Sequence, residues 1–359
     1  MIILEPYLFR GFYQYDPDLG FRVRPYTFGT NEFGFNDRDY PLEKDLDTFR
    51  ILIVSDSFNW AGGLEGNYTA LLEKKFEAFY DSHRVDVINA GYPATHTGEQ
   101  LAMLKKYGLQ YDPDLVFLGF FAGNDFLDAH PNSKRIILND VHFYIDKRKE
   151  IIFLGYPIIP QSRLFHFTKQ KYQVYKELLA ARRETKKTSR LGRKKTSPSL
   201  RKKINQALSV NTFLRIESGR LEFCNTQKHK MHAFDDQINY AIKSIFDMKE
   251  LVNERNARFV VGIYPDEFQV NENLRDFLFQ KFLLERKFYD IDLPQKILKM
   301  HLNPKQIPCL DFLDAFRDKN SEQDLYLPRN THWNESGNEL AASILFAYML
   351  NIVKSEINH

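Results

Sequence analysis

The chain has 359 residues, of which 43% are hydrophobic, so it can bury one large core or two modest ones and is not disordered throughout. No run approaches the ~20 apolar residues that span a bilayer, and the opening residues carry charges and prolines too early for a signal peptide. The sequence predicts a cytoplasmic protein as written, and a periplasmic or membrane-tethered one if an N-terminal anchor has been trimmed.

Positive charge is concentrated in one stretch of the chain. Residues 169–203 hold 14 Lys and Arg against Glu177 and Glu184, whereas the net charge of the whole chain is only +3, so the remainder is acidic. A solvated surface explains such a stretch best, and contact with an anionic polymer or a membrane surface is the alternative. We expect no nucleic acid as a partner.

Five short apolar runs predict the strands of a parallel sheet. They are rich in β-branched and aromatic residues and are separated by helical patterns rather than hairpin turns. One such pattern places Leu72, Phe76 and Phe79 on a single helical face. Alternation of this kind predicts a three-layer α/β/α sandwich with a five-stranded parallel sheet. The runs are 50–55, 85–89, 115–121, 258–264 and a weaker one at 307–312.

The rhythm of strands and helices is interrupted between about residues 130 and 240. The alternating run at 141–155 predicts a β-hairpin, and the Lys/Arg-rich chain after it loses its apolar periodicity, which predicts a partly mobile segment. We therefore interpret 1–48 as an N-terminal extension packing on the core and 130–240 as a basic insertion. Segments 49–129 and 241–359 then form the main domain.

Two residues follow the first two predicted strands where chemistry could occur. Ser57 comes directly after the first strand, at the turn into a helix, so its hydroxyl and its own N–H would face the same space at the carboxyl edge of the sheet. Gly91 ends the second strand, and without a side chain its N–H could approach a reacting carbonyl. Taken singly, each is better explained as a helix cap or a turn residue.

Two further polar residues occupy comparable places later in the chain. Asn124 follows the third strand in a Gly-Asn-Asp sequence and could donate its amide to the same oxyanion. His332 precedes a long C-terminal helix for which Asn334 or Ser336 can serve as cap. Histidine is the side chain best suited to accept a serine proton near neutral pH.

The order of these four positions resembles the four motif blocks of the bacterial SGNH (GDSL-type) hydrolase family. The resemblance extends to the segments YDPDLGFRVRP, TNEFGFNDRDY, YPDEFQV and IPCLDFLDAF, and it covers roughly residues 12–128 and 255–350. It implies a flavodoxin-like α/β/α fold and ester chemistry through an acyl-serine intermediate, without a metal or organic cofactor. The implied roles are Ser57 as nucleophile, His332 as base, and the Ser57 N–H, Gly91 N–H and Asn124 amide as oxyanion hole.

Two positions depart from the family pattern. The family's first glycine is Ser55 here, a minor change unless the backbone is left-handed. The family's Asp before the histidine is absent, because Arg329 and Asn330 occupy the expected places. Asn330 could orient the ring but could not offset the charge on an imidazolium. Another carboxylate, such as Asp324 or Glu335, is the alternative partner.

The leading hypothesis is therefore an ester hydrolase, an esterase or deacylase acting on a small acyl ester of a carbohydrate or lipid. An acyltransferase on a carbohydrate is one alternative, and a non-catalytic binding protein with the same fold is another, favoured by Asn330. Cys224, His229 and His232 lie within nine residues, but without a fourth ligand at a usual spacing we interpret them as part of a basic surface loop and expect no metal.

Overall fold

The computed structural model describes residues 11–80, 85–138, 141–158, scattered residues between 164 and 179, and 207–357. The middle of the insertion, including most of the basic stretch 169–203, lies outside the described residues. The strands are β1 Tyr13–Gln14, β2 Arg22–Val23, β3 Phe49–Ser55, β4 Val85–Gly91, β5 Leu115–Phe121, β6 Ser133–Leu138, β7 Val141–Asp146, β8 Ile152–Phe153, β9 Tyr156–Pro157, β10 Arg258–Tyr264 and β11 Cys309–Asp311.

The helices lie between and after these strands. They are α1 Gly63–Gly66, α2 Tyr68–Tyr80, α3 Thr97–Lys106, α4 Val210–Leu221, α5 Thr226–Lys230, α6 Asp235–Asn253, α7 Glu267–Val270, α8 Glu272–Lys281, α9 Leu293–Leu302, α10 Leu313–Asn320 and α11 Glu335–Ile357.

A five-stranded parallel sheet in the order β11-β10-β5-β3-β4 forms the centre of the molecule. All seven residues of β3 and of β5 are buried, as expected for parallel strands covered on both faces. Helices α3, α6 and α9 contribute to the apolar core on one face, and α2, α10 and α11 to the core on the other. The predicted three-layer α/β/α sandwich is confirmed.

Three details differ from the sequence-based expectations. Phe79 is not buried with Leu72 and Phe76, because it lies in the last turn of α2, where Phe346 of α11 covers only part of its ring. The run 141–155 does not form a single hairpin as predicted: β7 pairs with the preceding β6, and β8 pairs with β9 in a second small hairpin. The fifth strand is shorter than the apolar run and spans only Cys309–Asp311.

Candidate active site

The turn after β3 presents Ser57 at the carboxyl edge of the sheet. The Asp56 carboxylate accepts a hydrogen bond from Phe58 N–H at 3.0 Å and so caps a short 3₁₀ turn over Ser57–Trp60. Ser55, which stands where the resembling family has a glycine, has no left-handed backbone, and its hydroxyl donates to Gly119 O at 2.8 Å. The substitution is therefore accommodated without strain, and Ser57 is left partly exposed beside the buried Phe58.

Ser57, His332 and Asn330 form a chain of hydrogen bonds. Ser57 Oγ lies 2.7 Å from His332 Nε2, and His332 Nδ1 lies 2.7 Å from Asn330 Oδ1. Because the Asn330 oxygen can only accept, Nδ1 carries the imidazole proton and Nε2 is free to accept from the serine hydroxyl. Sequence separation between Ser57 and His332 is 275 residues, so the fold itself brings them together.

The loop before α11 determines which residue orients the imidazole. Asn334 caps α11 by accepting from Gly337 N–H at 3.0 Å, and its amide donates to Asp324 O at 2.7 Å. Among the described residues, the partner of His332 Nδ1 is Asn330, and neither of the alternative carboxylates, Asp324 and Glu335, contacts the ring.

A strained backbone places the histidine, and the insertion supports it. Arg329 and Thr331 have φ of 56° and 62°, a region that non-glycine residues rarely adopt. The Thr331 hydroxyl donates to Glu217 Oε1 at 3.1 Å and accepts from Arg220 Nη1 at 2.8 Å. Both partners belong to α4, so a helix of the insertion holds the residue between Asn330 and His332.

The electrostatic environment makes His332 a weak base. Burial, followed by the positive charge of Arg220, lowers the pKa of the imidazole to about 4. Arg220 itself pairs with Glu217 at 2.9 Å and lies 3.5 Å from Asp266. The ring is consequently neutral at pH 7 and able to accept a proton, but its low pKa makes the protonated form unfavourable.

Burial raises the pKa values of the carboxyl groups behind Ser57. Burial raises the pKa of Asp56 to about 6, and burial followed by the charge of Asp56 raises that of Asp125 well above its usual range. Burial likewise raises the pKa of Glu217 well above its usual range. Asp125 and Glu217 therefore supply little negative charge to offset an imidazolium at His332, whereas Asp56 is still largely ionised at pH 7.

The predicted oxyanion-hole residues flank the serine turn. Gly91 ends β4, and a Cβ on it would lie 2.3 Å from the Cβ of Asn59, so only glycine fits at this position. Asn124 follows β5, and its Nδ2 donates to Asp128 Oδ2 at 2.8 Å. A primary amide carries two hydrogens, so the second remains for a substrate oxyanion.

The N-terminal segment braces the same edge of the sheet. Asn36 Nδ2 donates to Asn59 O at 3.1 Å, and Asn89 Nδ2 donates to the same oxygen at 2.7 Å. The Asn59 side chain donates in turn to Ile53 O at 2.9 Å. The segment TNEFGFNDRDY thus fixes the turn that carries Ser57, a role that the sequence did not reveal.

The cysteine and histidine group of the insertion does not converge on a common point. Cys224 is buried with its Sγ 3.8 Å from Ile291 O, His229 Nε2 contacts Phe223 O, and His232 Nδ1 contacts Asp235. Among the described residues no set of three or more His, Cys, Asp or Glu is arranged to hold a metal ion.

None of the helices in the described residues is long and apolar enough to cross a membrane.

Comparison with known proteins gives matches to solved structures alone, since no protein-family model and no curated protein matches the chain. An acetyl xylan esterase is 11% identical with a TM-score of 0.44, over 84% of this chain and 99% of that one. A lipase/acylhydrolase from Enterococcus faecalis is 12% identical with a TM-score of 0.39, over 85% and 96%. A GDSL-like lipase from Bacteroides thetaiotaomicron is 8% identical with a TM-score of 0.38, over 88% and 93%.

Proposed function

We propose that this protein is an ester hydrolase that cleaves a small acyl ester, of a carbohydrate or a lipid, through an acyl-serine intermediate on Ser57. The observation that carries the proposal is the hydrogen-bonded chain from Ser57 Oγ through His332 to Asn330 Oδ1, with 2.7 Å at both steps. A hydroxyl that donates to an oriented neutral imidazole is the arrangement that activates a serine for acyl transfer.

The reaction would follow from these contacts. As Ser57 Oγ attacks the acyl carbonyl, its proton passes to His332 Nε2, and the carbonyl oxygen becomes an oxyanion facing the Ser57 N–H, the Gly91 N–H and the Asn124 amide. Collapse of the tetrahedral intermediate expels the alcohol, which takes the proton from Nε2. Water, deprotonated by the same imidazole, then releases the acid and restores the serine.

Asn330 limits this chemistry without preventing it. Its amide oxygen keeps the imidazole in the required tautomer, yet it carries no charge to stabilise the imidazolium. The nearby Arg220 acts against the imidazolium as well. We therefore expect slow turnover on unactivated esters and measurable turnover on activated ones.

A fluorophosphonate probe tests the proposal directly, because it reacts with an activated serine and needs no knowledge of the substrate. Residues 51–74 contain both Ser55 and Ser57 and would leave trypsin as one peptide, so labelling must be assigned with variants. We expect the wild type and Ser55→Ala to be labelled and Ser57→Ala to be unlabelled. Hydrolysis of p-nitrophenyl acetate should follow the same pattern. Labelling of Ser57→Ala, or its retained hydrolysis, would contradict the assignment.

The low pKa of His332 favours one other candidate, a binding protein that keeps the cleft without turnover. In that case the wild type would remain unlabelled under conditions where Asn330→Asp becomes labelled. The same experiment would thereby separate a weak catalyst from a site that needs a carboxylate before it reacts at all.

A further inference from the structure

The small hairpin formed by β8 and β9 carries an unusual concentration of exposed apolar side chains. Five large aliphatic or aromatic residues within residues 151–158 have half or more of their surface exposed. Single exposed apolar side chains are ordinary on a protein surface, but a contiguous group marks a contact surface. We call these residues, 151–158, the apolar prong; the five are Ile151, Ile152, Phe153, Leu154 and Ile158.

The turn at the tip of the prong gives no structural reason for its leucine. Leu154 and Gly155 join the two strands with φ of 50° and 79°, the two-residue turn with positive φ at both positions, which favours Asn-Gly. Leucine is disfavoured there by its backbone and, being exposed, is not retained by packing either. An external apolar environment would account for it.

The base of the prong is fixed to the body of the protein. The Tyr156 ring packs against Tyr15 with centroids 6.1 Å apart, and Pro157 is buried. Lys134 pairs with Glu150 at 3.3 Å and donates to Pro17 O at 2.6 Å. The prong therefore projects from an anchored base.

Exposed cations lie beside this base. The side chains of Lys147 and Arg148 are exposed a few residues before the prong, where Lys147 donates to Tyr240 Oη at 3.2 Å and Arg148 forms an exposed ion pair with Asp146 at 3.0 Å. Cations beside an exposed apolar tip complement a surface that is negatively charged outside and apolar inside.

The distribution of the apolar side chains indicates which kind of surface this is. Ile152 and Phe153 are consecutive in β8, so they project to opposite faces of the strand, and Leu154 extends from the turn. A folded protein partner would cover one face of such a hairpin. Lipid acyl chains can enclose all sides of it.

We propose that the apolar prong inserts into the interfacial region of an anionic lipid bilayer while Lys147 and Arg148 contact the headgroups. This docking goes beyond ester hydrolysis and does not depend on it, so Ser57→Ala should bind membranes as the wild type does.

The test uses the full chain in flotation with two kinds of vesicle, phosphatidylcholine alone and phosphatidylcholine mixed with phosphatidylserine. We expect wild-type protein to float with the second kind, less so as salt increases. The double variant Phe153→Ser/Leu154→Asn should lose about tenfold or more of this association. Asn at 154 creates the favoured Asn-Gly turn, so the hairpin itself should persist.

Leu283→Asn is the matched control, because Leu283 is 88% exposed and also has a positive φ, of 53°. It should float like the wild type. Absence of flotation, an equal loss in Leu283→Asn, or unchanged flotation of the double variant would each overturn the proposal, the last by showing that charge alone attracts the vesicles. So would a dimer in sedimentation without lipid that the double variant abolishes, since the prong would then contact a second copy.

Tryptophan fluorescence tests the proposal independently, in case the double variant misfolds. Phe153→Trp keeps an aromatic ring at the tip, and its emission should shift to shorter wavelength when phosphatidylserine vesicles are added. Leu283→Trp should show no such shift. An unshifted Phe153→Trp spectrum with bound protein would place the prong outside the membrane and overturn the proposal.

Discussion

Asn330 Oδ1 accepts the Nδ1 proton of His332 at 2.7 Å, where the resembling family has a carboxylate. The contact fixes the ring but contributes no negative charge. Burial and Arg220 both disfavour the protonated ring, and neither of its hydrogen-bond partners, Ser57 and Asn330, offsets them with a negative charge.

Asn330→Asp should raise kcat/KM on activated esters by roughly 10- to 100-fold, equivalent to about 1.4 to 2.7 kcal/mol of barrier. The carboxylate would keep the same hydrogen bond and stabilise the imidazolium that forms as Ser57 loses its proton. Steady-state kinetics with p-nitrophenyl acetate measures the change.

Gln323→Glu provides the control for added charge. Gln323 is exposed on the chain that leads into the His332 loop, and Glu has nearly the same shape as Gln. We expect little change in kcat/KM. If Asn330→Asp leaves kcat/KM unchanged or lower, imidazolium stabilisation does not limit the reaction.

The acid limb of the pH profile of kcat/KM should lie at an unusually low pH. Because burial and Arg220 lower the pKa of His332 to about 4, the imidazole is neutral and competent as a base down to that pH, well below the ordinary histidine range. kcat/KM measured between pH 3.5 and 8 should decline only near pH 4. An inflection near 6.5 would contradict this environment for the ring.

Arg220→Gln should move that limb to higher pH. Removing a positive charge beside the ring favours its protonated form, so the pKa of His332 rises. Thr331→Val separates charge from position, because it removes the contacts to Glu217 and Arg220 and leaves the arginine in place. It should lower kcat by up to about a hundredfold through misplacement of the loop and leave the limb where it is.

These two variants distinguish a charge effect from a packing effect by the direction of the pH shift. If Thr331→Val moved the limb as far as Arg220→Gln, loss of the loop conformation rather than the charge would control the pKa. Circular dichroism and a thermal melt confirm that both variants remain folded before the kinetics are compared.

The sequence predicted the sheet and the placement of Ser57, Gly91, Asn124 and His332 because each depends on a strong local signal. Buried parallel strands read as continuous apolar runs, and polar residues directly after them must meet at one edge of the sheet. The exposure of Phe79 could not be predicted from the helical periodicity, which places it on the same face as Leu72 and Phe76. Phe79 is exposed because it lies in the last turn of α2, at the end of the helical layer.

Arg220 and Glu217 could not be predicted in the same way. They lie in α4, within an insertion that no motif covers, and they meet Thr331 across 111 and 114 residues of sequence. The positive φ of Thr331 is equally invisible, because nothing in its side chain requires a left-handed backbone and tertiary contacts impose it. The contacts that position His332 could therefore not be predicted from the sequence.

Gly91→Ala should destabilise the fold by about 1–3 kcal/mol, because the new methyl would overlap the side chain of Asn59, which in turn braces the Ser57 turn. Gly219→Ala is the contrasting case. A Cβ there meets nothing within 4 Å inside α4, so this variant should gain about 0.5–1 kcal/mol. Urea unfolding of the wild type and of both variants measures these changes. A Gly91→Ala variant as stable as the wild type would show that Asn59 can move aside.

Glu267, at the start of α7, should make stability fall with rising pH. Burial, followed by the charges of Asp266 and Asp324, raises the pKa of Glu267 to about 8, and its Oε2 is buried without a recorded partner. Since this folded-state pKa exceeds the unfolded value of 4.5, the folded protein binds the proton more tightly. The resulting stabilisation is complete below pH 4.5 and is lost as the pH rises through 8.

Glu267→Gln removes the titration, so the variant should gain in Tm relative to the wild type across this window and most above pH 8, with little difference at pH 4. Glu272→Gln, at an exposed carboxylate paired with Arg275, should change Tm little at any pH, since an exposed ion pair contributes little. Thermal melts of the three proteins from pH 4 to 9 check the trend. A Tm difference that does not grow with pH would mean that the Glu267 carboxylate is already stabilised when charged, because the buried oxygen then has a partner such as water or Arg220.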